Sequence, residues 1–203
     1  MKVGVLALQG AVREHTEALD ALSAEVVAVK TPEHLEAVDA LVMPGGESTT
    51  IGRLLGTAGL IDHLSRRIDD GLPVLGTCAG MILLARGVAD GRPDQPVFGA
   101  IDIDVRRNGY GRQRESFERP LDVEGVGRGF PGVFIRAPTV ERVGADVTVL
   151  AEVDGAPVMC RQGAVTVCAF HPELSGDLRI HAEFLNEAAA SAAPASGRRR
   201  ERP

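Results

Sequence analysis

Cys78 lies at the centre of the pattern Gly-Thr-Cys-Ala-Gly, residues 76–80, with an apolar run on each side. The run before the pattern predicts a short buried strand, and the run after it predicts a helix. A cysteine on such a turn matches the nucleophile elbow, in which flanking glycines leave room for a crowded backbone. The N-terminus of the following helix favours a thiolate. The pattern therefore predicts a nucleophile, although a lone cysteine is often a buried structural residue.

His171 and Glu173 can supply the base that a cysteine nucleophile needs. The apolar segment 164–170 predicts a strand that runs into His171, and Pro172 ends it because proline cannot continue a strand ladder. Two residues apart at a strand end, both side chains can face the same side. Glu173 would orient the imidazole while His171 exchanges the proton of Cys78. Without Cys78, these residues fit a capping histidine and a solvated glutamate better.

The remaining histidines fall on predicted helices or at their starts, which makes them poorer candidates for the base. They are His15, His34, His63 and His181. Cys160 and Cys168 lie within predicted apolar strands, so we expect them to be core residues.

A glycine-rich loop, Pro-Gly-Gly-Glu-Ser-Thr-Thr at residues 44–50, follows the predicted strand 40–43. Open parallel sheets bind ligands beyond the carboxyl ends of their strands, where this loop and Cys78 both lie. Adjacent glycines let N–H groups turn toward an anion, so Gly46 and Ala79 are predicted to form an oxyanion hole. The alternative is an ordinary loop in which Ser48 caps the next helix. The Gly-Lys-Ser/Thr ending of a P-loop is lacking.

These motifs together resemble those of class I glutamine amidotransferases, and further segments are similar to the glutaminase subunit family of pyridoxal 5'-phosphate synthase (PdxT family). The Cys elbow and His-Pro-Glu indicate only the superfamily. The family is indicated by Gly-Val-Leu-Ala-Leu-Gln-Gly-Ala-Val-Arg-Glu-His at 4–15, the loop at 44–50, Arg-Asn-Gly-Tyr-Gly-Arg-Gln at 107–113 and Phe-Ile-Arg-Ala-Pro at 134–138.

The resemblance implies that a set of residues contacts L-glutamine: Gly46, Glu47, Ser48, Arg107, Ile135 and Arg136. An arginine suits the α-carboxylate of an amino acid, although surface ion pairing describes Arg107 and Arg136 equally well without the resemblance. Gln9 and Gly10 follow the first predicted strand. They form either a plain turn or a loop that reshapes the oxyanion hole when a partner docks.

The implied reaction is hydrolysis of glutamine to glutamate and ammonia by the triad of Cys78, His171 and Glu173, without a metal or cofactor. The implied partner is a synthase subunit of another fold (PdxS family) in a large hetero-oligomer. That subunit would use the ammonia with ribose 5-phosphate and glyceraldehyde 3-phosphate to make pyridoxal 5'-phosphate. Two other functions are considered: a cysteine peptidase or amidase with a broad cleft, and a non-catalytic subunit. Loss of the Cys or His would indicate the second, and both are present.

Composition limits the alternatives. The chain has 203 residues, 44% of them hydrophobic, which suits one α/β domain. A net charge of −6, 3% aromatic residues and no Trp do not suggest nucleic-acid binding. No apolar stretch is long enough to span a bilayer. The three cysteines form no Cys-x-x-Cys pair, which fits the reducing cytoplasm.

Alternating strand and helix patterns predict an open, mainly parallel, doubly wound sheet with helices on both faces, as in flavodoxin-like folds. Early strands are predicted at 3–8, 25–29 and 40–43, with helices at 11–22 and 61–69. The second half predicts strands, some antiparallel, at 98–105, 132–135, 148–153, 157–161 and 164–170. A last helix at 176–189 completes a domain of residues 1–190. The Ala/Pro/Arg-rich segment 191–203 is predicted to be a disordered tail, or alternatively a basic docking tail.

Overall fold

The computed structural model of the chain describes residues 1–92, 95–109 and 116–192. The strands in this part of the chain are β1 (Lys2–Leu6), β2 (Glu25–Val29), β3 (Ala40–Met43), β4 (Val74–Thr77), β5 (Ala85–Val88), β6 (Ile101–Arg106), β7 (Phe117–Val123), β8 (Gly127–Phe134), β9 (Thr139–Val143), β10 (Thr148–Val153), β11 (Ala156–Gln162) and β12 (Val165–Cys168). The α-helices are α1 (Val12–Ala21), α2 (Pro32–Glu36), α3 (Ser48–Thr57), α4 (Ile61–Asp69), α5 (Ala79–Leu84) and α6 (Arg179–Ala192). A short 3-10 helix covers Pro172–Leu174.

The central sheet has the strand order β10-β11-β12-β4-β3-β1-β2. Pairing is parallel from β12 through β4, β3 and β1 to β2, whereas β10, β11 and β12 pair antiparallel. The predicted mainly parallel α/β sheet is therefore confirmed. Its central strands are buried along their whole length, because β3, β4 and β12 are covered on both faces.

This topology brings the carboxyl ends of four strands to one edge of the sheet. Strand β4 ends at Thr77, directly before Cys78, and β3 ends directly before the loop at 44–47. Strand β12 pairs with β4 in a register that places Cys168 opposite Thr77, three residues before His171. Strand β1 leads into Gln9 at the same edge. Candidate site residues from distant parts of the sequence thus lie together at this edge of the sheet.

Two smaller sheets, β5-β6-β9 and β7-β8, complete the fold in the described residues. The β7-β8 hairpin contacts the segment after β12, because the His171 N–H donates to the Val133 carbonyl at 2.8 Å. The ring centroids of Phe134, at the end of β8, and Phe170, in the segment after β12, lie 5.5 Å apart. This small sheet therefore fixes the backbone that carries His171.

Helix α3 begins differently from the alternative considered above. Its N-cap is Glu47, whose carboxylate accepts the N–H groups of Thr49 at 3.1 Å and Thr50 at 2.8 Å. Ser48 is the first helical residue, so the interpretation of Ser48 as the cap is wrong. A carboxylate here also suits the positive end of the helix dipole.

The last helix reaches Ala192, two residues beyond the predicted domain boundary at 190. The rest of the predicted tail, from 193 to 203, lies outside the described residues. Among the described residues, no helix combines the length and apolar character needed to cross a membrane.

Candidate active site

Cys78 sits on the turn between β4 and α5 with a φ of +48°, in the left-handed region that residues other than glycine rarely adopt. A Cβ at Gly76 would lie 2.5 Å from Leu84 Cδ1, and a Cβ at Gly80 would overlap the Met43 carbonyl oxygen. The prediction that the flanking glycines accommodate crowding is therefore confirmed. Such strain persists only where the surrounding structure fixes it.

His171 and Glu173 form a hydrogen-bonded pair, with Nδ1 of the imidazole 2.8 Å from Oε1 of the carboxylate. Burial lowers the pKa of His171, but hydrogen bonds with Cys78 and Glu173 outweigh it and raise the pKa to about 10. Burial raises the pKa of Glu173, but the hydrogen bond from His171 and the nearby His15 lower it overall. The pair therefore favours an ionised carboxylate, with Nε2 of the imidazole left for Cys78.

Gly45 is a site residue that the sequence motif contained but did not single out. A Cβ at Gly45 would lie 2.5 Å from His171 Cε1 and 3.3 Å from Cys78 Cβ. Glycine thus lets the loop after β3 pack directly against both side chains. A motif position gives no sign of such a contact until the strands are placed in order.

The Gln9-Gly10 segment is tied to the glycine-rich loop. Gln9 Oε1 accepts the Glu47 N–H at 2.9 Å, and the Gly45 carbonyl accepts the Ala11 N–H at 3.0 Å. Gly10 has a φ of +105°, and a Cβ there would overlap the Gly45 carbonyl oxygen. A movement of either loop therefore requires a movement of the other.

One predicted oxyanion donor, Gly46, lies on the glycine-rich loop, and the other, Ala79, lies at the start of α5. Within the described part of the chain, the N–H groups of Gly46 and Ala79 donate to no protein acceptor. Ala79 is the first residue of α5, where helical N–H groups have no partner inside the helix. Both groups thus remain available as donors.

A cavity of about 230 Å³ opens beside Cys78 and gathers most of the residues predicted from sequence, together with Ile82 and Asn108, which were not predicted. Its predicted lining residues are Gln9, Gly46, Glu47, Ser48, Cys78, Arg107, Ile135, Arg136 and His171. Glu173 lies behind His171, and Gly10 and Ala79 also lie outside the lining. A larger groove of about 360 Å³ lies near the amino ends of β3 and β4 and contains none of them.

Arg107 is held at the wall of this cavity by a short network. Its guanidinium lies 3.3 Å from Glu47 Oε1, 3.3 Å from Thr49 Oγ1 and 3.4 Å from Gln95 Oε1. Burial raises the pKa of Glu47, but hydrogen bonds from Thr50 and Thr49 lower it to about 2. The cavity therefore offers a fixed cation and a fixed anion side by side.

Arg136 follows β8 with a φ of +46°, one of three non-glycine residues on the cavity wall with a positive φ, the others being Cys78 and Asn108. Ile135 lies directly before it, and its carbonyl oxygen is 4.0 Å from the Cys78 sulfur. The strained turn thus brings both residues to the nucleophile.

The two other cysteines are buried in the central sheet, as expected of core residues. Burial raises the pKa of Cys160 to about 11 and raises that of Cys168 well above its ordinary value. Neither thiol lines the cavity.

Sequence reasoning missed three buried residues behind Glu173, namely His15, Thr77 and His181. The nearest, His15, lies 3.3 Å from the carboxylate. These histidines were set aside because they fall on helices. Only the sheet order reveals that both helices begin beside the strand-end carboxylate.

A comparison with family models matches residues 5–190 to the SNO glutamine amidotransferase family. The chain belongs to the SNO glutamine amidotransferase family. The resemblance inferred from its motifs is thereby confirmed, and with it the expectation of an enzyme that takes ammonia from glutamine.

Proteins from other organisms are similar over nearly the whole chain. "Pyridoxal 5'-phosphate synthase subunit PdxT" of Mycobacteroides abscessus is 56% identical over 184 residues, covering 91% of this chain and 95% of the relative. The subunit of the same name from Geobacillus kaustophilus is 53% identical over 186 residues, with coverages of 92% and 94%.

Solved structures agree with this assignment. A crystal structure of a glutamine amidotransferase matches with a TM-score of 0.87 and 52% identity, covering 92% of this chain and 98% of the other. The crystal structure of a putative GMP synthase component from Thermoplasma acidophilum matches with a TM-score of 0.68 at 16% identity, covering 94% and 95%. The second likeness concerns the fold alone.

Proposed function

We propose that this chain hydrolyses L-glutamine to L-glutamate and ammonia with Cys78 as nucleophile and His171 and Glu173 as its base and orienting group. It would supply the ammonia to a synthase subunit of the PdxS family that makes pyridoxal 5'-phosphate. The observation that carries the proposal is a strained cysteine that shares one cavity with His171, whose imidazole is hydrogen-bonded to Glu173 behind it.

The reaction follows from this arrangement. The sulfur of Cys78 attacks the side-chain amide carbon of glutamine, and the amide oxygen becomes an oxyanion. His171 gives its Nε2 proton to the amide nitrogen, and ammonia leaves as the C–N bond breaks. Water then attacks the γ-glutamyl thioester while His171 takes its proton, which releases glutamate and restores Cys78.

The paired charges on the cavity wall suit the other end of the substrate. An α-carboxylate fits the guanidinium of Arg107 or Arg136, and an α-ammonium fits the ionised carboxylate of Glu47. Gly46, Ser48 and Ile135 complete the proposed glutamine contacts. A cavity of about 230 Å³ suits one amino acid and is small for a peptide segment, which favours a glutaminase over a peptidase.

Stabilisation of the oxyanion is assigned to the N–H groups of Gly46 and Ala79. The tie between Gln9 and Glu47 supports a role for the Gln9-Gly10 loop in coupling this hole to a docked partner. We place the complex, a large hetero-oligomer, in the cytoplasm, where the free thiols of the three cysteines persist.

The experiment compares ammonia release from glutamine by the isolated chain and by the chain mixed with a PdxS-family synthase subunit. We expect the partner to raise kcat by about 10²–10³, the worth of one oxyanion donor brought into place. Full activity of the isolated chain would contradict partner coupling. No activity in either sample would contradict the proposed function itself.

A further inference from the structure

A buried polar cluster lies behind the carboxylate of Glu173, on the side away from Cys78. It consists of His15 from α1, Thr77 from the end of β4 and His181 from the first turn of α6, each 0% exposed. Uncompensated polar groups are costly to bury. The contacts that these three side chains make with one another and with Glu173 therefore determine the role of the cluster.

The distances form a chain that ends on Glu173. Oε2 of Glu173 lies 3.3 Å from Nε2 of His15, which is also 3.1 Å from Oγ1 of Thr77. Nδ1 of His15 lies 2.9 Å from Nε2 of His181. Oε2 of Glu173 is buried and has no hydrogen bond of full geometry in the described residues, and Nε2 of His15, at 3.3 Å, is the polar atom set against it. His15 is thus the support for the carboxylate oxygen that His171 does not use.

The chemistry of the partners sets the tautomers. An ionised carboxylate at 3.3 Å would repel the lone pair of an unprotonated ring nitrogen, so Nε2 of His15 must carry the proton. Nδ1 of a neutral His15 is then an acceptor, and His181 must donate from its own Nε2. This leaves Nδ1 of His181 unprotonated, and no partner contacts that atom in the described chain. The orphaned atom therefore agrees with the tautomer that Glu173 requires.

Both imidazoles are neutral at neutral pH. Burial, followed by the nearby His171, lowers the pKa of His15, against the opposing effect of Glu173 and Glu14. Burial, followed by His15, lowers the pKa of His181 to about 4, again opposed by Glu173. Each ring then has one N–H group, and the two N–H groups point in sequence toward Glu173.

We propose that His15, with its tautomer set by His181, is a positioning residue that holds the Glu173 carboxylate in line with His171. This rests on the proposed glutaminase function. The order of contacts is His181 to His15 to Glu173 to His171, and the last of these faces Cys78. Helix α1 follows directly after the Gln9-Gly10 loop. Its residue His15 contacts Glu173 of the proposed triad.

The kinetic test uses the complex with the synthase subunit and compares His15→Leu with His15→Gln. The leucine removes the donor, whereas the glutamine amide can place an N–H group near the position of Nε2. We expect His15→Leu to lower kcat about 10- to 100-fold, the worth of one hydrogen bond to a charged group, with KM for glutamine nearly unchanged. His15→Gln should recover most of that loss.

Leu19→Ala is the matched control, because Leu19 is buried one turn further along the same helix without a polar role. It should lower the melting temperature and leave kcat and KM unchanged. If His15→Gln is as slow as His15→Leu, or if Leu19→Ala lowers kcat equally, the cluster only supports the fold and the proposal is wrong.

A second measurement judges the cluster without relying on activity or on a variant that folds. The ring-nitrogen chemical shifts of histidine labelled with ¹⁵N report the tautomer of each imidazole in the full chain. We expect neutral His15 and neutral His181, each protonated at Nε2, near pH 7. An Nδ1-protonated or a charged His15 would overturn the proposal. A wild-type complex without glutaminase activity would instead overturn the proposed function, and the tautomers would still test the cluster.

Discussion

Nδ1 of His171 lies 2.8 Å from Oε1 of the buried Glu173 carboxylate. Because that nitrogen is engaged, only Nε2 is free to exchange a proton with a group in the cavity. One contact between neighbours in sequence thus determines which side of the ring faces Cys78. The same contact helps to raise the pKa of His171 to about 10, so the imidazole can hold the proton that it takes from Cys78.

Covalent labelling should distinguish Cys78 from the other two cysteines. An electrophile that mimics glutamine should modify Cys78 and spare Cys160 and Cys168, because those thiols are buried outside the cavity and burial raises their pKa. Mass spectrometry of the digested protein locates the adduct. Cys78→Ser should lose both the label and glutamine hydrolysis while keeping its melting temperature. Equal labelling of all three residues would argue against Cys78 as the nucleophile.

Substitution of the base should cost more than substitution of the residue that orients it. His171→Ala should lower kcat nearly as much as loss of Cys78, since groups that act as a unit are non-additive. Glu173→Gln should lower kcat less, because it leaves the imidazole in place but removes the charge that stabilises the imidazolium. Steady-state kinetics of the reconstituted complex measures both. Near-normal kcat in His171→Ala would refute the assignment.

Arg107→Ala should raise KM for glutamine about 10- to 100-fold with a smaller effect on kcat, because it removes charge-assisted hydrogen bonds to the substrate. The matched control is Arg106→Ala, since the neighbouring Arg106 pairs with Glu141 outside the cavity. KM should stay at the wild-type value in that control. An unchanged KM in Arg107→Ala would show that the α-carboxylate binds elsewhere.

Gly45→Ala should impair activity more than its single methyl group suggests. The added Cβ would lie 2.5 Å from His171 Cε1, so the imidazole or the loop must shift. Gly56→Ala is the control, because a Cβ at that helical position would meet only Ile61 at an ordinary 3.7 Å. We expect kcat to fall in the first variant and to stay unchanged in the second. Equal kcat values in the two variants would mean that the loop accommodates the added methyl group without affecting His171.

The pH dependence of stability should reveal the buried imidazoles. His181 has a pKa lowered to about 4 from 6.5, so the unfolded state binds a proton first as the pH falls. The contribution of His181 to the free energy of unfolding is fully present above pH 6.5 and is lost progressively as the pH falls to about 4. The loss amounts to about 3 kcal/mol, at 1.36 kcal/mol for each pKa unit. His15 acts in the same direction, since its pKa is also lowered.

Two other groups, His171 and Glu173, titrate outside the range from pH 6.5 to 4.5. The pKa of His171 is raised to about 10, so its contribution is complete below pH 6.5 and is lost as the pH rises through 10. The lowered pKa of Glu173 means that its contribution is lost at more acid pH, below its ordinary 4.5. Denaturant unfolding between pH 6.5 and 4.5 should show a shallower fall for His181→Leu than for wild type. The exposed His34→Gln should follow wild type, and a matching slope in His181→Leu would contradict the assignment.

The sequence was most informative where a local pattern carries the structure. Strand β3 and helix α4 coincide with their predicted bounds, because an all-apolar run and an amphipathic period depend on few distant residues. Strands β5, β7 and β9 were missed. Each mixes charged or proline residues with apolar ones, and they are stabilised by pairing in the small sheets rather than by their own pattern.

The cavity could be predicted from sequence through its motifs, whereas its supports could not. The contact of Gly45 with His171 depends on the placement of β3 beside β4. The contact of His15 with Glu173 depends on the placement of α1 against the turn after β12. Contacts of this kind join residues far apart in sequence, and no local spacing encodes them. Glu47 illustrates a third case, since one side chain caps a helix and also pairs with Arg107.

The pairing of β12 with β4 also bears on how the enzyme is made. Cys78 emerges from the ribosome long before His171, and the two meet only when β12 inserts beside β4, with Cys168 opposite Thr77. Strands β10 and β11 must add on the outer side of β12, and α6 brings His181 last of all. A nascent or truncated chain therefore carries a thiol without its base. Hydrolytic competence arises at the end of synthesis, so incomplete copies would not consume glutamine in the cell.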